Sequence, residues 1–330
     1  MAIREIKFPA KVMRRAKPIR VLLMDVDGTM TPGWVCLQTF PDNSVAEMKM
    51  FNAHDGAGIT LASIMGIRTG FITGRDSPAN ARRARESRME FVIQGQPKKL
   101  ESYKAILVRA GVTDEEVAYV GDDLPDLPIL QRAGLRPAPT GKMRMAIKEI
   151  KFPAKVMRRA KPVRVLLMDV DGTMTPGWVC LQTFPDNSVA EMKMFNAHDG
   201  AGITLASIMG IRTGFITGRD SPANARRARE SRMEFVIQGQ PKKLESYKAI
   251  LVRAGVTDEE VAYVGDDLPD LPILQRVGLA VAVGDAVVEV KRAAHYVTTV
   301  KGGEGAIREV VELILKAQGK WKKAIPLAIA

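Results

Sequence analysis

Two carboxylates one residue apart are the most distinctive chemical feature of the sequence. Asp169 and Asp171 lie in the segment Asp169-Val170-Asp171-Gly172-Thr173, directly after a run of apolar residues. Paired carboxylates can divide nucleophilic and acid/base work between them, and the glycine that follows permits a tight turn. Taken alone, the pattern also fits a plain turn or a calcium-binding loop.

Three further polar residues follow apolar runs later in the chain: Thr217 in a Thr-Gly-Arg segment, Lys243 after Gln240-Pro241-Lys242, and Asp266 in Gly-Asp-Asp. Singly, they are typical of a helix cap, a solvated surface charge and a turn residue. Together with the paired carboxylates they form an ordered set in which each member follows a predicted strand. A hydroxyl, an ammonium group and several carboxylates in this arrangement indicate phosphate chemistry.

The elements that position these residues alternate between buried strands and helices. The apolar runs predict strands at residues 164–169, 212–217, 234–238, 261–265 and 279–283. Helical spacing predicts helices at residues 200–209, 222–229, 243–254 and 268–276. Regular alternation indicates an α/β fold with a doubly wound parallel sheet, in which the carboxyl ends of the strands carry the site.

One segment interrupts this alternation. Residues 178–184 and 189–195 have strand character and flank the turn sequence PDNS, which predicts a β-hairpin inserted after the first strand. The hairpin could fold back on its own core. Because an isolated hairpin is marginally stable, we expect it instead to pack against another subunit or another copy. Trp178 and Cys180 are interpreted as packing residues of this hairpin.

An internal duplication dominates the organisation of the chain. Residues 1–135 recur as residues 145–279 at an offset of 144, with differences at only three positions. A repeat of this length is a duplicated domain, not a solenoid unit. The sequence therefore predicts a truncated copy at 1–135, a linker at 136–144 and a complete copy at 145–330. A natural duplication and an artefact of gene assembly both remain open.

The first copy keeps every chemical group named so far but lacks the last predicted strand and all that follows it. Its equivalent residues are Asp25, Asp27, Thr73, Lys99 and Asp122. Without the missing strand, the strand predicted at residues 117–121 would lie at an unpaired sheet edge. We expect a first copy that is structural or weakly active and supplies a second hairpin, while the second copy carries turnover.

Composition excludes several broad classes of protein. The chain has 330 residues, 46% of them hydrophobic, and no apolar run approaches the length of a membrane span. Its two cysteines, Cys36 and Cys180, are one repeated position, so no disulfide framework is predicted. We expect a cytoplasmic protein. The formal net charge of +12 permits a non-catalytic protein that binds nucleic acid or anionic membranes, although no nucleic-acid motif accompanies it.

The motifs of the second copy resemble the haloacid dehalogenase superfamily. The segments that carry this resemblance are DVDGTMTPG, FNAHDGAGI, GFITGRDS, QGQPKKL, VAYVGDDLPDLPIL, LAVAVGDA and GGEGAIREV. Within that superfamily they are similar to the 3-deoxy-D-manno-octulosonate 8-phosphate phosphatases. The resemblance implies a Rossmann-like core, a small hairpin in place of a large cap domain, and homo-oligomers with a tetramer-like assembly of hairpins. It also implies a sugar-acid phosphate as substrate and a role in lipopolysaccharide precursor synthesis.

The same resemblance implies roles for the polar set. Asp169 would be the nucleophile that forms an aspartyl-phosphate, and Asp171 the general acid and then the general base. Thr217 and Lys243 would hold the phosphoryl oxygens. Mg²⁺ would bind Asp169, the main-chain carbonyl of Asp171, and Asp266.

Substrate recognition follows the family less closely. The resemblance assigns contacts with the sugar acid to Asn196, His198, Asp199, Gly200, Arg219 and Arg227. His198, Thr204 and Glu304, however, stand where the family commonly has arginine. Each departure removes a potential bidentate contact with a carboxylate. A nonulosonate 9-phosphate therefore remains an alternative substrate, with Arg226 or Arg227 as alternative partners of the sugar carboxylate.

Overall fold

The computed structural model describes residues 9–135, 150–184 and 186–329. The predicted linker at 136–144 and the first residues of the second copy lie outside the described residues. The chain forms two compact units. The first comprises Met1–Pro32, Lys49–Glu149 and Ile329–Ala330, and the second comprises Gly33–Met48 and Ile150–Ala328. The hairpin of the first copy therefore belongs to the unit that the second copy forms.

Strands and helices are named in chain order over the described residues. The strands are β1 (Val21–Met24), β2 (Trp34–Thr39), β3 (Val45–Met48), β4 (Arg68–Ile72), β5 (Phe91–Ile93), β6 (Val117–Val120), β7 (Val165–Met168), β8 (Cys180–Thr183), β9 (Val189–Asn196), β10 (Arg212–Ile216), β11 (Phe235–Ile237), β12 (Val261–Gly265), β13 (Leu279–Ala282) and β14 (Tyr296–Val297). The helices are α1 (Ala10–Ala16), α2 (Ala53–Ile64), α3 (Pro78–Glu86), α4 (Lys99–Ala110), α5 (Leu127–Leu130), α6 (Ala154–Ala160), α7 (Ala197–Ile208), α8 (Pro222–Glu230), α9 (Lys243–Ala254), α10 (Leu271–Leu274), α11 (Val288–Ala293), α12 (Ala306–Ala317) and α13 (Trp321–Ile329).

A parallel sheet forms the centre of the second unit. Its strand order is β11-β10-β7-β12-β13-β14, and every pairing within it is parallel. All residues of β7, β12 and β13 are buried, as expected for strands covered on both faces. The five predicted strands and the α/β class are confirmed, and β14 adds a sixth strand at the edge. In the link before β14, the main-chain N–H of Ala280 donates to Nδ1 of His295 at 3.0 Å.

Helix positions agree with the sequence in three of four cases. Helices α8 and α9 lie where they were predicted, and α7 begins three residues earlier than expected, at Ala197. The predicted helix over residues 268–276 is confirmed in part: it is divided into a 3₁₀ turn at Leu268–Asp270 and the single turn of α10. Pro269 and Pro272 remove two main-chain donors there, and the side chain of Asp270 takes over part of the capping.

The first unit repeats the centre of this sheet in shorter form. Its strand order is β5-β4-β1-β6, again parallel. Within the described residues β6 is an outer strand, extended only by an isolated bridge between Ala118 and Leu135. Val120 of β6 is 50% exposed, whereas its counterpart Val264 of β12 is fully buried. The predicted open edge of the first copy is thereby confirmed.

A second sheet in the second unit combines the hairpins of both copies. Its order is β3-β2-β9-β8, and all three pairings are antiparallel. The longest of these ladders joins β2 to β9 and runs from Trp34 opposite Asn196 to Thr39 opposite Glu191. The prediction that the hairpin packs against another copy is confirmed. Strand β8 is shorter than predicted and begins at Cys180, so Trp178 and Val179 precede it.

Residues 280–330, which have no counterpart in the first copy, form the tail of the second copy and complete this unit. Helix α12 packs against α7 and α6, and its buried apolar residues include Ile307, Val311 and Ile314. Within residues 9–135, 150–184 and 186–329, no helix combines the length and apolar character that a membrane crossing requires.

Candidate active site

The end of β7 and the start of α9 bring the first two predicted site residues together. Asp169 directly follows β7, and Lys243 is the first residue of α9. The ammonium Nζ of Lys243 lies 2.7 Å from Oδ1 of Asp169 and 2.8 Å from Oδ1 of Asp270. All three side chains are buried. Lys243 is thus an internal cation and not the solvated surface charge that its position alone could suggest.

Asp270 holds this lysine in place. Its carboxylate also accepts hydrogen bonds from the hydroxyl of Tyr263 at 2.8 Å and from the main-chain N–H of Asp266 at 3.0 Å. Because donors already occupy both of its oxygens, Asp270 positions the groups around it.

Asp266 completes an acidic cluster. Oxygens of Asp169, Asp266 and Asp270 lie within 4.8 Å of one another, and Thr173 donates a hydrogen bond to Oδ1 of Asp266 at 2.9 Å. Burial, together with the charge of Asp270, raises the pKa of Asp169 to about 6. Burial and the charge of Asp169 raise the pKa of Asp266 to about 7. The single positive charge of Lys243 therefore does not balance the three carboxylates of the cluster. Such an excess of negative charge favours binding of a divalent cation.

Asp171 lies beside this cluster and has a different cationic partner. Its Oδ1 forms an ion pair with the ammonium group of Lys193, which lies in β9 of the hairpin sheet. The Lys193 side chain is only 4% exposed. The other oxygen of Asp171, Oδ2, is buried and has no hydrogen-bond partner among the described residues.

Thr217 and Arg219 lie in the loop after β10. Thr217 is buried, and its hydroxyl oxygen accepts a hydrogen bond from the main-chain N–H of Arg219 at 3.3 Å. The guanidinium group of Arg219 pairs with Glu191 of β9, and its side chain remains 39% exposed. Arg219 is thus accessible, with its charge partly balanced by the hairpin.

The remaining residues predicted to contact the sugar acid have structural contacts. Asn196 caps α7 by accepting a hydrogen bond from the N–H of His198 at 2.9 Å. Asp199 is buried and accepts from the N–H of Arg308, in the first turn of α12, at 2.8 Å. Burial raises the pKa of Asp199 to about 6. A carboxylate at a helix N-terminus is a stabilising arrangement, so Asp199 joins α7 to α12.

Arg227 and Gly200 belong to the same junction. Arg227 is buried, donates to the carbonyl oxygen of Asn196 at 2.8 Å and lies over the ring of Phe195. A Cβ atom on Gly200 would lie 2.0 Å from Nη2 of Arg227, so the glycine leaves room for the guanidinium group. Asn196, Asp199, Gly200 and Arg227 thus have structural contacts in this junction, and their assignment to substrate contacts stays a prediction. Half-buried His198 and accessible Arg219 remain candidates.

The tail contributes directly to the loop that carries the paired carboxylates. The N–H of Gly303 donates to the carbonyl oxygen of Thr173 at 2.9 Å. A Cβ atom on Gly302 would lie 1.7 Å from the carbonyl oxygen of Gly172. The two backbones are thus in closest contact, which only glycine permits.

The first unit contains a second, looser version of the cluster. Lys99 pairs with Asp25 at 2.7 Å and Asp126 at 2.8 Å, and burial raises the pKa of Asp25 to about 7. Asp27 pairs with Lys49, and Thr73 is buried. Asp122, however, is exposed and accepts a hydrogen bond from the hydroxyl of Thr29 at 3.2 Å. The equivalent hydrogen bond in the second unit, from Thr173 to Asp266, is shorter at 2.9 Å.

Sequence reasoning missed Lys193 and Glu191, the two hairpin residues that contact site side chains. A signal was present in the alternation of β9. Residues two apart in a strand share a face, so Glu191 and Lys193 lie on the face of the apolar Phe195. Two charged residues on a buried face indicate partners in the interior.

Comparisons with known proteins agree with this geometry. The family model described as haloacid dehalogenase-like hydrolase matches residues 219–310. The 3-deoxy-D-manno-octulosonate 8-phosphate phosphatase of Yersinia pestis is 42% identical over 53% of this chain and 91% of its own length. A probable YrbI family phosphatase from Pseudomonas syringae pv. phaseolica is 40% identical, with a TM-score of 0.50, over 54% of this chain and 99% of that one.

A third structure adds information on ligands. The 3-deoxy-D-manno-octulosonate 8-phosphate phosphatase of Moraxella catarrhalis is 35% identical, with a TM-score of 0.50, over 53% of this chain and 99% of its own. It was solved in complex with a magnesium ion, a phosphate ion and a KDO molecule. The chain described here belongs to the haloacid dehalogenase-like hydrolases. Within them it is a phosphoric monoester hydrolase, which argues against the non-catalytic binding protein considered above.

Proposed function

We propose that this protein is a magnesium-dependent phosphatase that hydrolyses 3-deoxy-D-manno-octulosonate 8-phosphate to the free sugar acid and phosphate. We assign turnover to the second copy. The observation that carries the proposal is the cluster of buried Asp169, buried Lys243 and half-buried Asp266 at the carboxyl ends of the sheet, in a chain whose relatives bear that activity in their names.

In the proposed reaction, a carboxylate oxygen of Asp169 attacks phosphorus while the bond from phosphorus to the sugar oxygen breaks. Asp171 gives its proton to that leaving oxygen. In the second step, water attacks phosphorus and gives a proton to Asp171 while the bond from phosphorus to Asp169 breaks, so that phosphate leaves and the carboxylate of Asp169 is restored. Lys243, 2.7 Å from the nucleophile, would balance charge on the phosphoryl oxygens, and Thr217 would donate its hydroxyl to one of them.

The residues present fit a magnesium ion. Asp169, Asp266 and the main-chain carbonyl of Asp171 would hold it, since hard oxygen ligands suit Mg²⁺ and the oxygens of Asp270 already accept other donors. The ion would neutralise negative charge as phosphate enters and as charge develops during transfer.

The raised pKa values predict a pH-dependent response to magnesium. Burial raises the pKa of Asp169 to about 6 and of Asp266 to about 7, from 3.8. Protonated carboxylates therefore stabilise the metal-free fold below about pH 4, and this contribution is lost as the pH rises through 6 to 7. Mg²⁺ needs the deprotonated groups. We expect it to raise the melting temperature by at least about 5 °C at pH 8 and by much less at pH 5.

Differential scanning calorimetry with and without EDTA measures this response. The Asp266→Asn variant should lose most of the magnesium-dependent shift at pH 8, whereas Glu289→Gln, an exposed carboxylate on α11 outside the cluster, should keep it. An equal shift at both pH values, or an unchanged shift in Asp266→Asn, would contradict the proposed ligand set.

Arg219 is the best candidate for recognition of the sugar carboxylate. The two alternatives have other contacts: Arg227 is buried at the α7 junction, and Arg226 donates to the carbonyl oxygen of Val45 at 3.0 Å. Arg219 is accessible, although Glu191 competes for its guanidinium group. Because Arg219, the most exposed of these three arginines, is itself paired with Glu191, a nonulosonate 9-phosphate remains the second candidate substrate.

Phosphate release from the two sugar phosphates tests the proposal. With the full chain and Mg²⁺, kcat/KM for 3-deoxy-D-manno-octulosonate 8-phosphate should exceed that for a nonulosonate 9-phosphate by at least about tenfold. The reverse order would transfer the assignment to the nonulosonate. Release from neither compound would overturn both assignments.

We propose in addition that the chain associates with a second copy of itself through the outer strands of the hairpin sheet. Strands β2 and β8 lie in identical six-residue segments, Trp34–Thr39 and residues 178–183. Leu37 is fully buried, whereas its counterpart Leu181 is 61% exposed. The difference arises because β2 has partners on both sides, while within the described residues β8 pairs only with β9.

The missing partner of β8 can be identified by sequence. Strand β2 pairs with residues 191–196 of β9, and β3, the opposite outer strand, repeats the first four residues of β9. Strand β8 of one chain and β3 of another can therefore repeat the end of that ladder, with Gln182 opposite Met48 and Thr183 opposite Glu47. A head-to-tail interface of this kind closes into a ring when the rotation allows it, and two chains would then contribute four hairpins.

The mass in solution tests this association. We expect the wild-type chain to be a dimer by sedimentation velocity at micromolar concentration, and Leu181→Lys to shift it towards monomer. Val252→Lys is the matched control, because Val252 is 84% exposed on α9. A monomeric wild type, or a Leu181→Lys variant that stays dimeric, would refute the association.

A further inference from the structure

Lys193 is a buried cation whose contact is directed at the acid/base carboxylate. It lies in β9 with its side chain 4% exposed, and its ammonium group pairs with Oδ1 of Asp171. Removing an ammonium group from water is costly unless a charged partner and hydrogen bonds compensate it. The burial of Lys193 is therefore tied to the position of Asp171.

The two oxygens of Asp171 have different surroundings. Oδ1 is held by Lys193, whereas Oδ2 is buried and without a hydrogen-bond partner among the described residues. A buried oxygen of this kind needs a polar partner, and in an enzyme that partner can be the substrate. The carboxylate is thus held by Oδ1, while the hydrogen-bonding capacity of the buried Oδ2 is not used by the described residues.

We propose that Lys193 is a positioning residue, which holds Asp171 by Oδ1 so that Oδ2 faces the leaving oxygen of the phosphate ester. The inference rests on the proposed phosphatase function. In the first step, the proton on Oδ2 passes to the leaving oxygen as its bond to phosphorus breaks and the bond from Asp169 to phosphorus forms. In the second step, Oδ2 takes a proton from the attacking water. Lys193 keeps its own protons throughout.

The position of Lys193 depends in turn on the first copy. Strand β9 pairs with β8 on one side and β2 on the other, and Lys193 lies opposite Leu37 of β2. Leu37 is fully buried. The hairpin supplied by the first copy therefore stabilises the strand segment that carries the lysine, which links the first copy to proton transfer in the second.

The dependence of the rate on the leaving group distinguishes positioning from a general structural role. A sugar alkoxide leaves only when it is protonated, whereas p-nitrophenolate leaves readily without a proton. In Lys193→Met, which keeps the length of the side chain but removes its charge, kcat for the sugar phosphate should fall by about tenfold or more. For p-nitrophenyl phosphate it should fall by less than about threefold. Lys193→Arg should recover part of the loss.

A second variant perturbs the lysine without burying a new group. Leu37→Ala should produce the same selective loss in smaller measure, because it loosens β2 against β9. Lys248→Met, an exposed lysine on α9, is the control. Equal losses with both substrates in Lys193→Met and Leu37→Ala, or no loss in either, would overturn the inference. Failure of the wild-type chain to hydrolyse either phosphate would instead overturn the proposed function.

Discussion

The Asp169→Asn variant is expected to lose phosphate release by more than about 10³-fold. An amide cannot form the aspartyl-phosphate, and it also removes a ligand from the acidic cluster and the partner of Lys243 at 2.7 Å. Initial rates of phosphate release under saturating sugar phosphate and Mg²⁺ measure the loss. The fold should survive, because an amide has the shape of the carboxylate and the negative charge it removes comes from a crowded cluster.

The duplication provides a matched control for this variant. Asp25→Asn makes the same change in the same local sequence of the first copy, and we expect it to keep nearly all activity. The physical reason is that Asp122 is exposed and that, in the part of the chain that the structure describes, the sheet of the first unit ends at β6, so its cluster is less well held. If each variant removed half of the activity, both copies would work. If Asp25→Asn removed nearly all of it, the assignment of turnover to the second copy would be wrong.

The central sheet and the acidic cluster could be predicted from the sequence because they depend on local signals. Apolar runs such as that of β7 identify buried strands, and topology then brings Asp169 and Asp266 to one edge of the sheet. Thr217 was located in the same way. These predictions needed only the order of the strands, which the alternation of elements already determined.

The contacts with the sugar acid could not be predicted in this way. Asn196 and Asp199 are polar residues near a helix start, and a cap or a ligand contact would leave the same pattern in the sequence. The docking of α12 onto α7 adds a structural contact, since the main-chain N–H of Arg308 in the first turn of α12 donates to Asp199. That contact joins residues more than 100 positions apart, and no local signal records it.

The hairpins show most clearly what local sequence cannot predict, because identical sequences in the two copies have different environments. The segment that forms β2 is largely buried, whereas the same residues in β8 are mostly exposed. The sequence indicates a hairpin in each copy, but only tertiary pairing decides which strand lies inside the sheet. The same pairing places Lys193 beside Asp171, so a residue of catalytic interest depends on a choice that local sequence does not contain.

The second large effect on turnover is expected from a substitution in the tail of the second copy. Gly302→Ala is expected to lower kcat by about 10²-fold, since a Cβ atom there would lie 1.7 Å from the carbonyl oxygen of Gly172. The atom that this Cβ would meet belongs to the backbone, so no flexible side chain can move aside, and the loop with Asp171 must shift. The first copy ends before any counterpart of this segment, which gives a physical reason for its weaker site.

Steady-state kinetics and the melting temperature separate a displaced loop from a damaged fold. Gly177→Ala is the matched control, because it lies just beyond the same loop and a Cβ atom there would meet nothing within 4 Å. We expect Gly177→Ala to behave as wild type, and Gly302→Ala to lose turnover while most of the cooperative unfolding of the core is retained. Wild-type turnover in Gly302→Ala would mean that the tail does not hold the loop, and the inactivity expected of the first copy would then need another cause.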